Sequence, residues 1–378
     1  MNKIELCGPN KCTQCYSCVS VCPKSCVSMA ENSEGILYPQ IDENKCIGCG
    51  ACVQSCHQLN FVSRHTSRHV YAAWANDVAV RTSSSSGGVF SILAEYIIKR
   101  RGVVYGAAYG AHLKVKHIRI TSVDEVQKLR GSKYVQSDFL GVYSNVKQDL
   151  LEGNLVLFSG TPCQIAGLKM YLKKDYDTLF CVDLICHGVP PQKAFDAYME
   201  RIGVNRDSVH NFRFRYLKGW GFELACDDRI ISPINSYYLK AFTEGYMFLN
   251  ACYSCQYASL DRIGDITLAD FWNIGEDIPF RYSVKKGVSM VLVNTKKGKD
   301  FFCGVKSYLS VYERSIGEAT KTNYNLTRAS IFPQERTEYL RDSYVLKKRE
   351  LIRKYFLKPE WKDYLRPIYR RLYSFIVK

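Results

Sequence analysis

The chain has 378 residues, of which 47% are hydrophobic and 13% aromatic, with a formal net charge of +16 and 17 cysteines. This composition excludes an intrinsically disordered chain, and no apolar stretch is long enough to cross a membrane. The first residues, MNKIELCGPN, contain no apolar segment of the kind that directs export. We therefore expect a cytoplasmic protein, in which stable disulfides are rare and the cysteines need another role.

Two copies of the spacing CxxCxxCxxxC lie near the start of the chain, between Lys11 and Asn60. Three thiols at CxxCxxC can hold three corners of an iron–sulfur cube, whereas structural zinc usually takes ligands from separated CxxC pairs. In bacterial two-cluster ferredoxins the last cysteine of each run ligates the other cluster. The spacing therefore favours two [4Fe-4S] clusters over zinc, one on Cys12, Cys15, Cys18 and Cys56, and the other on Cys46, Cys49, Cys52 and Cys22.

Three residues of this segment need separate comment. Pro23 follows Cys22, as the ferredoxin pattern requires, but the second copy has His57 at the corresponding position. We expect this change to affect local geometry or reduction potential rather than cluster binding. Cys7 and Cys26 lie outside the spacing and are interpreted as spare thiols.

The next segment predicts a strand, a helix and a second strand. VYAAWA alternates as a strand does, apolar residues at helical spacing predict a helix over 89–101, and VVYGAAY predicts the following strand. The run SSSSGG precedes the helix. Backbone N–H groups and the helix dipole favour anions at such a position, so the loop is either a phosphate cradle or an ordinary N-cap with a flexible turn.

A β-α-β unit follows, in which NLVLFSG and TLFCVDLICHG are strands and TPCQIAGLKMYLKK is the helix between them. Such a unit implies two parallel strands, and ligands bind at the carboxyl ends of parallel strands. Cys163 and Cys186 lie at these ends. Downstream, Cys252 and Cys255 form a CxxC, which alone could be half of a zinc knuckle or a redox pair. Together the four thiols can hold a third [4Fe-4S] cluster, and Cys181, Cys226 and Cys303 are interpreted as core residues.

The end of the chain is rich in Lys and Arg interleaved with Tyr, Phe, Leu and Trp at roughly helical spacing. This pattern is typical of an amphipathic helix that binds a membrane surface, or of a helix that packs on the protein and exposes a basic face. Both interpretations remain open. Only the membrane-binding helix predicts peripheral contact with the inner membrane surface. Nothing else in the chain resembles a nucleic-acid-binding module, and we expect no nucleic-acid partner.

Several motifs, in order, resemble those of the coenzyme F420 hydrogenase/dehydrogenase beta-subunit family: SSSSGGVFSILAEYII, LRGSKYVQSD, LFSGTPCQIAGLK, DLICHGVPP and CYSCQYASLDRIGDITLADFW. The resemblance covers about residues 70–310, together with the ferredoxin module that many members carry in front. It implies an FAD-binding flavoprotein with its own [4Fe-4S] cluster near the flavin. Ala269 stands where relatives often have glycine, which makes the role of that turn less certain.

The resemblance also assigns residues. It places Ser85, Ser86, Gly87 and Gly88 in a flavin loop and Lys133 and Tyr134 in a GSKY motif, and it assigns the third cluster to the four downstream thiols. Lys133 is interpreted as a cation near flavin or phosphate, with an exposed lysine as the alternative. His187 is interpreted as a proton donor, with a structural histidine as the alternative.

We therefore predict an α+β or α/β fold with a ferredoxin-like module over 1–64, a mixed α/β flavin-binding body over 65–150 and 151–312, and a basic helical tail over 313–378. The predicted function is that of an iron–sulfur flavoprotein oxidoreductase acting on a small organic electron acceptor or donor. Coenzyme F420, pigment-like, polysaccharide and lipid-linked molecules all remain open, and ferredoxin or another redox protein is the expected electron partner. The alternative is an electron-transfer beta subunit of a larger hydrogenase or dehydrogenase complex.

Overall fold

The structure is a computed structural model and describes residues 4–66, 69–209, 211–216 and 220–356. Its strands are β1 Val27–Glu31, β2 Leu37–Ile41, β3 His65–Thr66, β4 His69–Ala75, β5 Val103–Tyr109, β6 Val115–Ile120, β7 Val156–Gly160, β8 Leu179–Leu184, β9 Phe212–Arg213, β10 Ala225–Cys226, β11 Arg229–Ile230, β12 Asp261–Arg262, β13 Ile266–Asp270, β14 Ser289–Val293 and β15 Leu309–Arg314.

The α-helices are α1 Ser17–Val21, α2 Ala51–Gln54, α3 Val78–Thr82, α4 Val89–Ile98, α5 Val126–Leu129, α6 Val142–Leu151, α7 Pro162–Leu172, α8 Gln192–Arg201, α9 Tyr237–Thr243, α10 Lys296–Val305, α11 Ile316–Thr322, α12 Arg336–Val345 and α13 Lys348–Tyr355. Together with the strands they give a mixed α/β body preceded by a small ferredoxin-like segment, which is the predicted fold class.

Eight strands form the central sheet, in the order β15-β4-β14-β13-β8-β7-β5-β6. The strands β5, β7, β8 and β13 are parallel neighbours, and the other neighbours are antiparallel. Strand β7 is almost completely buried because parallel strands are covered on both faces, which explains its apolar sequence VLF. Strands from both sides of residue 150 are direct neighbours in this sheet, since β5 pairs with β7.

The strand and helix predictions for this region are confirmed, with differences in length: the strand predicted over 178–188 is β8, Leu179–Leu184, so Cys186 lies after the strand. Strand β5 has the predicted bounds, and the β7-α7-β8 unit is a parallel crossover. Helix α4 ends at Ile98, before the predicted end at residue 101. The chain leaves the helix through a turn in which Arg101 has φ 60°, and a Cβ on Gly102 would lie 2.6 Å from Ile97 Cγ2.

One edge of the sheet collects the loops that follow β4, β7, β8 and β13. Strand β4 runs parallel to β13 because both are antiparallel to β14. At this edge Asp270 at the end of β13 pairs with Ser289 at the start of β14. The serine–glycine loop (residues 83–88), Cys163 and Cys186 follow strands that end here, as the topology predicts.

The N-terminal segment combines the antiparallel hairpin β1–β2 with the short helices α1 and α2. Both repeats require left-handed residues between their cysteines. In the first repeat Gln14 has φ 54° and Tyr16 φ 62°, and in the second Gly48 and Gly50 both have φ 70°. The two loops therefore share a backbone shape, although only the second uses glycine, which adopts it without steric cost.

The described part of the predicted basic tail packs on the protein. Arg336 of α12 is fully buried, donates to Glu34 Oε2 at 2.7 Å in the β1–β2 turn, and donates to the Phe248 carbonyl oxygen at 2.9 Å. Tyr344 donates its hydroxyl hydrogen to the Glu34 carbonyl oxygen at 2.7 Å. Helix α12 thus joins the N-terminal hairpin to the body, whereas Glu313 and Arg314 of the predicted tail belong to strand β15. Residues 357–378 of that tail lie outside the described residues.

Among the described residues, no helix has both the length and the apolar character that spanning a bilayer requires.

Candidate functional site

The first set of predicted ligands surrounds one cavity. This cavity has a volume of about 400 Å³ and is lined by the four thiols that we call the inner site, namely Cys12, Cys15, Cys18 and Cys56. Burial and the nearby Cys56 raise the pKa of Cys18 to about 12. Thiols packed against each other in a buried site ionise readily only when a cationic group lies between them, so this donor set suits an iron–sulfur cluster.

The second set surrounds a separate cavity of about 320 Å³. It is lined by the four thiols that we call the outer site, namely Cys22, Cys46, Cys49 and Cys52. Cys49 is exposed to solvent, and its neighbour Ile47 is 53% exposed. The outer site therefore lies at the protein surface.

Each cavity has a fifth thiol that the spacing does not include. Cys7 lines the inner cavity, where its thiol interacts with Cys12 and Cys56. Cys26 lines the outer cavity, with its Sγ 3.3 Å from Cys22 Sγ. The residues interpreted as spare thiols therefore lie beside the candidate ligands.

The four downstream thiols, which we call the body site, are Cys163, Cys186, Cys252 and Cys255. Cys163 is in the first turn of α7, Cys186 follows β8, and the other two lie in and just after a 3₁₀ turn, Asn250–Ser254. Burial, followed by the charges of Cys163 and Cys255, raises the pKa of Cys186, and burial raises that of Cys163 to about 11. The structure thus brings these four thiols together. In the described ranges, no group of three or more His, Cys, Asp or Glu side chains is arranged to hold a single metal ion.

A buried ion pair holds the loop that follows Cys255. Arg262 and Asp183 are 1% and 0% exposed, and Arg262 Nη2 donates to Asp183 Oδ1 at 3.0 Å. Arg262 Nη1 also donates to the carbonyl oxygens of Tyr257 and Ser259, at 2.9 and 3.1 Å. The pair therefore fixes the segment carrying Cys255 to the end of β8, which carries Cys186. Sequence reasoning missed it, because 79 residues separate the two partners.

The inner and body sites are direct neighbours. A Cβ on Gly167 of α7 would lie 3.0 Å from Cys15 Sγ and 2.7 Å from the Tyr143 hydroxyl. Gly167 is one helical turn after Cys163, and the charges of Cys15 and Cys163 interact. The absence of a side chain at position 167 therefore lets the N-terminal module approach the body site.

His57 bridges the same two sites by hydrogen bonds. The imidazole is 2% exposed, and its pKa is lowered to about 4 by burial, so the ring is neutral at pH 7. Tyr257 O–H donates to Nδ1 at 2.8 Å, and Nε2–H then donates to Thr13 Oγ1 at 2.9 Å. Gln256 donates to the His57 carbonyl oxygen at 3.1 Å. The residue that replaces the ferredoxin proline thus joins the inner-site loop to the body-site loop.

A large cavity lies at the sheet edge described above. It encloses about 300 Å³, or about 1510 Å³ when the space open to solvent is included, and its wall contains the serine–glycine loop from Ser84, the start of α4, the GSKY segment, Cys186 and His187. Gly88 is the N-cap residue of helix α4, with φ 85° and no side chain to cap the helix. A helix start without a side-chain cap, facing a cavity, is suited to a phosphate group.

The serine–glycine loop is held rigidly against β14. Ser86 donates to the Val288 carbonyl oxygen at 3.1 Å, and Gly87 N–H donates to Ser289 Oγ at 2.9 Å. A Cβ on Gly87 would lie 2.3 Å from the Ala73 carbonyl oxygen. Ser85 Oγ accepts from Ser132 N–H at 2.9 Å, which joins the loop to the GSKY segment. The loop is therefore fixed in place rather than a flexible turn.

The remaining predicted residues, Lys133, Tyr134 and His187, line the same cavity. Each of them also contacts other parts of the protein. The Lys133 ammonium group donates to the carbonyl oxygens of Lys128 and Arg130, and burial lowers its pKa to about 7. Tyr134 packs against Phe242 with ring centroids 4.3 Å apart. His187 is half-buried, with a pKa lowered by burial, and its ring meets Tyr324 edge-on at 5.7 Å.

Sequence reasoning missed a second histidine in this wall. His117 is 6% exposed, accepts from Ser137 Oγ at 2.7 Å on Nδ1, and donates through Nε2 to the Ser159 carbonyl oxygen at 2.8 Å. Both ring nitrogens are satisfied, so it is a structural residue of the cavity. The core interpretation of Cys303 is wrong, because this residue is exposed on α10, whereas Cys181 is buried as predicted.

Three family models match the chain. One describes the N-terminal part of the coenzyme F420 hydrogenase/dehydrogenase beta subunit and matches residues 70–144, and its companion for the C terminus of the same beta subunit matches residues 153–316. The chain belongs to this family. A 4Fe-4S dicluster domain also matches residues 11–59. This member of the beta-subunit family is thus an iron–sulfur protein of an oxidoreductase family with a ferredoxin module in front.

Curated relatives match short parts of this beta-subunit-family chain. A polyferredoxin-like subunit of aliphatic sulfonate oxidoreductase from Pyrococcus furiosus is 42% identical over 50 residues, which are 13% of this chain and 27% of the relative. NADH-quinone oxidoreductase subunit I 2 of Geobacter metallireducens is 41% identical over 51 residues, which are 12% of this chain and 39% of the relative. The chain thus spans between about a quarter and two-fifths of these two proteins.

The ketoisovalerate oxidoreductase subunit VorC of Methanothermobacter marburgensis is 30% identical over 70 residues, which cover 18% of this chain and 81% of VorC. A solved structure of the F420-reducing [NiFe] hydrogenase complex from Methanosarcina barkeri aligns with 78% of this chain and 93% of the matched chain. The TM-score of that alignment is 0.46 and the sequence identity 17%.

Proposed function

We propose that this protein is an FAD-dependent iron–sulfur oxidoreductase that exchanges electrons with a small organic molecule at the sheet-edge cavity. One observation carries the proposal. Cys186 of the body site lines the same cavity as the serine–glycine loop and the start of α4. A cluster on the body site would therefore lie next to whatever group occupies that cavity.

The polar groups of the cavity are distributed as a flavin requires. Its enclosed volume of about 300 Å³ lies at the lower end of the range of about 300–1,000 Å³ that is usual for small-molecule pockets. The start of α4 offers backbone N–H groups for a pyrophosphate, and the rings of Tyr134 and Trp272 supply apolar wall. Arg130 donates to Ser91 Oγ at 2.9 Å and to Ser83 Oγ at 3.2 Å, which places a cation beside this helix start.

The three thiol sites follow one another towards the cavity. Cys18 of the inner site interacts with Cys52 of the outer site, and Cys15 of the inner site interacts with Cys163 of the body site. When bound, iron–sulfur clusters carry single electrons, and a flavin converts these into a two-electron exchange with an organic molecule. The order of the thiols supports electron transfer between the protein surface at Cys49 and the cavity.

The residues of the chain would orient the bound groups and supply protons. His187 follows Cys186 and lines the cavity, and burial favours its neutral imidazole, which can accept a proton and return it. Lys133 binds two carbonyl oxygens, which holds its ammonium group in the cavity wall. With a pKa of about 7 it also can exchange a proton near neutral pH.

The proposal is tested by anaerobic purification with quantitation of iron and flavin. We expect about 12 iron atoms, as three [4Fe-4S] clusters require, and one FAD per chain. Cys163→Ser should lose about four of these iron atoms and keep the rest. Cys303→Ser, which changes an exposed thiol on α10, is the matched control and should keep all of them. Flavin-free protein, or zinc in place of iron, would contradict the proposal.

A second candidate is an electron-transfer subunit whose substrate is converted on a partner protein. The curated relatives that match part of the chain are named as subunits, which supports this alternative. The exposed Cys49 offers a surface at which ferredoxin or another redox protein could exchange electrons. Turnover of a small acceptor by the isolated chain would favour the first candidate, and flavin reduction without any turnover would favour the second.

A further inference from the structure

A second cavity adjoins the large one and carries an excess of positive charge. It encloses about 330 Å³, and Ser84 and Ser85 lie in the walls of both cavities. Its other wall contains Arg215, Lys285 and Lys286 and no carboxylate among the described residues. The two lysines are exposed, and no ion pair joins either of them to a carboxylate among the described residues. This wall therefore presents unpaired cations to the cavity.

The turn that carries the two lysines is held in place. Arg81 is 9% exposed and donates through Nη2 to the carbonyl oxygens of Gly287 and Ser283, at 2.6 and 3.1 Å. Gly287 has φ 84°, and a Cβ there would lie 2.8 Å from the backbone carbon of Ser86. The lysine turn is thus packed directly on the serine–glycine loop. The backbone of this turn therefore need not be ordered when an anion binds, which lowers the entropic cost of binding.

An aromatic wall completes the cavity. Trp220 stacks on Trp272 with ring centroids 4.7 Å apart and an angle of 12°, and Trp220 Nε1 donates to Asp270 Oδ1 at 2.8 Å. Arg215, with a side chain 3% exposed, donates to Asp270 Oδ2 at 2.7 Å and lies over the ring of Trp272 at 5.0 Å. Its Nη2 atom is buried without a hydrogen-bond partner in the described ranges.

We propose that this second cavity binds the phosphate-bearing end of the small molecule with which the protein exchanges electrons. Lys285 and Lys286 would pair with the phosphate, and the Ser85 hydroxyl, which accepts from Ser132 N–H, keeps its own hydrogen to donate. The reacting end of the molecule would then extend past the serine–glycine loop into the large cavity. The inference rests on the proposed function, because it assigns a chemical class to the molecule of that same site.

The test is the binding of inorganic pyrophosphate to the anaerobically purified, flavin-loaded chain, measured by calorimetry. The variant K285Q/K286Q should weaken binding at least about tenfold, because two charge-assisted contacts are removed. The control K296Q/K299Q removes the same charge from the start of α10 and should bind as the wild type does. The same measurement with malonate, a dicarboxylate, tests whether the cavity prefers carboxylates. Tighter binding of malonate than of pyrophosphate would overturn the assignment to phosphate.

Flavin content separates the remaining outcomes. K285Q/K286Q should keep its flavin, and a loss of flavin would overturn the inference by assigning the lysine turn to the flavin's own phosphates. Equal pyrophosphate affinity in the variant, the control and the wild type would also overturn it. If the wild type contains no flavin, the proposed function fails. The calorimetric comparison then decides by itself whether the lysine turn binds phosphate.

Discussion

The inner and outer sites have the same cysteine spacing but very different surroundings. Cys49 of the outer site is exposed, with Ile47 beside it 53% exposed. The inner site instead contacts the body, since Cys15 lies against Gly167 of α7 and His57 bonds to Tyr257. Spacing thus predicts four of the thiols around each cavity, whereas the surrounding structure determines solvent access, hydrogen bonding and neighbours.

This difference bears on redox chemistry, because the potential of an iron–sulfur cluster depends on solvent exposure and on hydrogen bonds near its sulfurs. Two clusters on identical motifs would therefore differ in potential here. The exposed site is suited to exchange with a partner, and the buried site is suited to relay towards the body site. The changes below remove or sharpen this contrast, from the largest expected effect to the smallest.

Arg262→Ala should have the largest effect, because it leaves Asp183 buried and unpaired. Breaking a buried ion pair from one side costs about 3–5 kcal/mol of the free energy of unfolding. The change also releases the loop that carries Cys255, so the iron of the body site should be lost while the outer site keeps its signal. Chemical denaturation under anaerobic conditions and iron quantitation measure both effects.

Lys321→Ala is the control for this change. Lys321 pairs with Asp277 on the surface, where both side chains are well exposed, and its removal should leave the denaturation midpoint unchanged. If Arg262→Ala unfolded at the same denaturant concentration as Lys321→Ala, the buried pair would not hold the body site.

Gly167→Val should disturb the inner site and leave the outer site unchanged. A Cβ at this position would already lie 2.7 Å from the Tyr143 hydroxyl and 2.9 Å from Cys15 Cβ, and the added methyl groups increase the overlap. Such overpacking typically costs about 1–3 kcal/mol. Electron paramagnetic resonance after reduction should show an altered or missing inner-site signal and an intact outer-site signal. Lys169→Ala on the same helix is the control, and equal change in both signals would contradict the assignment.

The sequence predicts a good part of this arrangement. The two sets of four thiols that line the cavities of the N-terminal module follow from spacing, since a local repeat needs no knowledge of the rest of the chain. The position of Cys163 and Cys186 at one sheet edge follows from the β-α-β pattern, because parallel strands place their carboxyl ends together. Gly87 and Gly88 are likewise marked by their position between a serine run and a helix.

Other features depend on contacts between distant segments and leave no local pattern. In the sequence Arg262 is an ordinary charged residue, and only the structure shows that it pairs with Asp183. The described part of the basic tail interleaves charges and aromatic residues as a surface helix does, yet Arg336 is buried. Its charge pairs with the Glu34 carboxylate, and the Phe248 carbonyl oxygen accepts a second hydrogen bond. Cys303 occurs in apolar text, FFCGV, but its position on the helix faces solvent.

His57→Gln tests whether the bridge between the inner and body sites makes the reduction potential of the inner site differ from that of the outer site. The change removes the imidazole that joins Tyr257 to Thr13, and each hydrogen bond lost costs about 1 kcal/mol of unfolding free energy. We expect the reduction potential of the inner site to move while that of the outer site stays constant, measured by potentiometric titration. His65→Gln, a half-buried histidine in β3, is the control. A common shift at both sites would rule out a specific role of the bridge.

The smallest expected effect concerns the two repeats themselves. Gly48 has φ 70°, and a Cβ added there would have no atom within 4 Å, so Gly48→Ala meets no clash and costs only the left-handed conformation, about 1 kcal/mol. Gln14 occupies the matching position with φ 54°, and Gln14→Gly relieves that cost but adds a similar entropy loss, so stability should change by less than about 1 kcal/mol. Anaerobic denaturation of both variants measures the asymmetry. Equal destabilisation would mean that side-chain contacts of Gln14, which is 2% exposed, outweigh backbone strain in the first repeat.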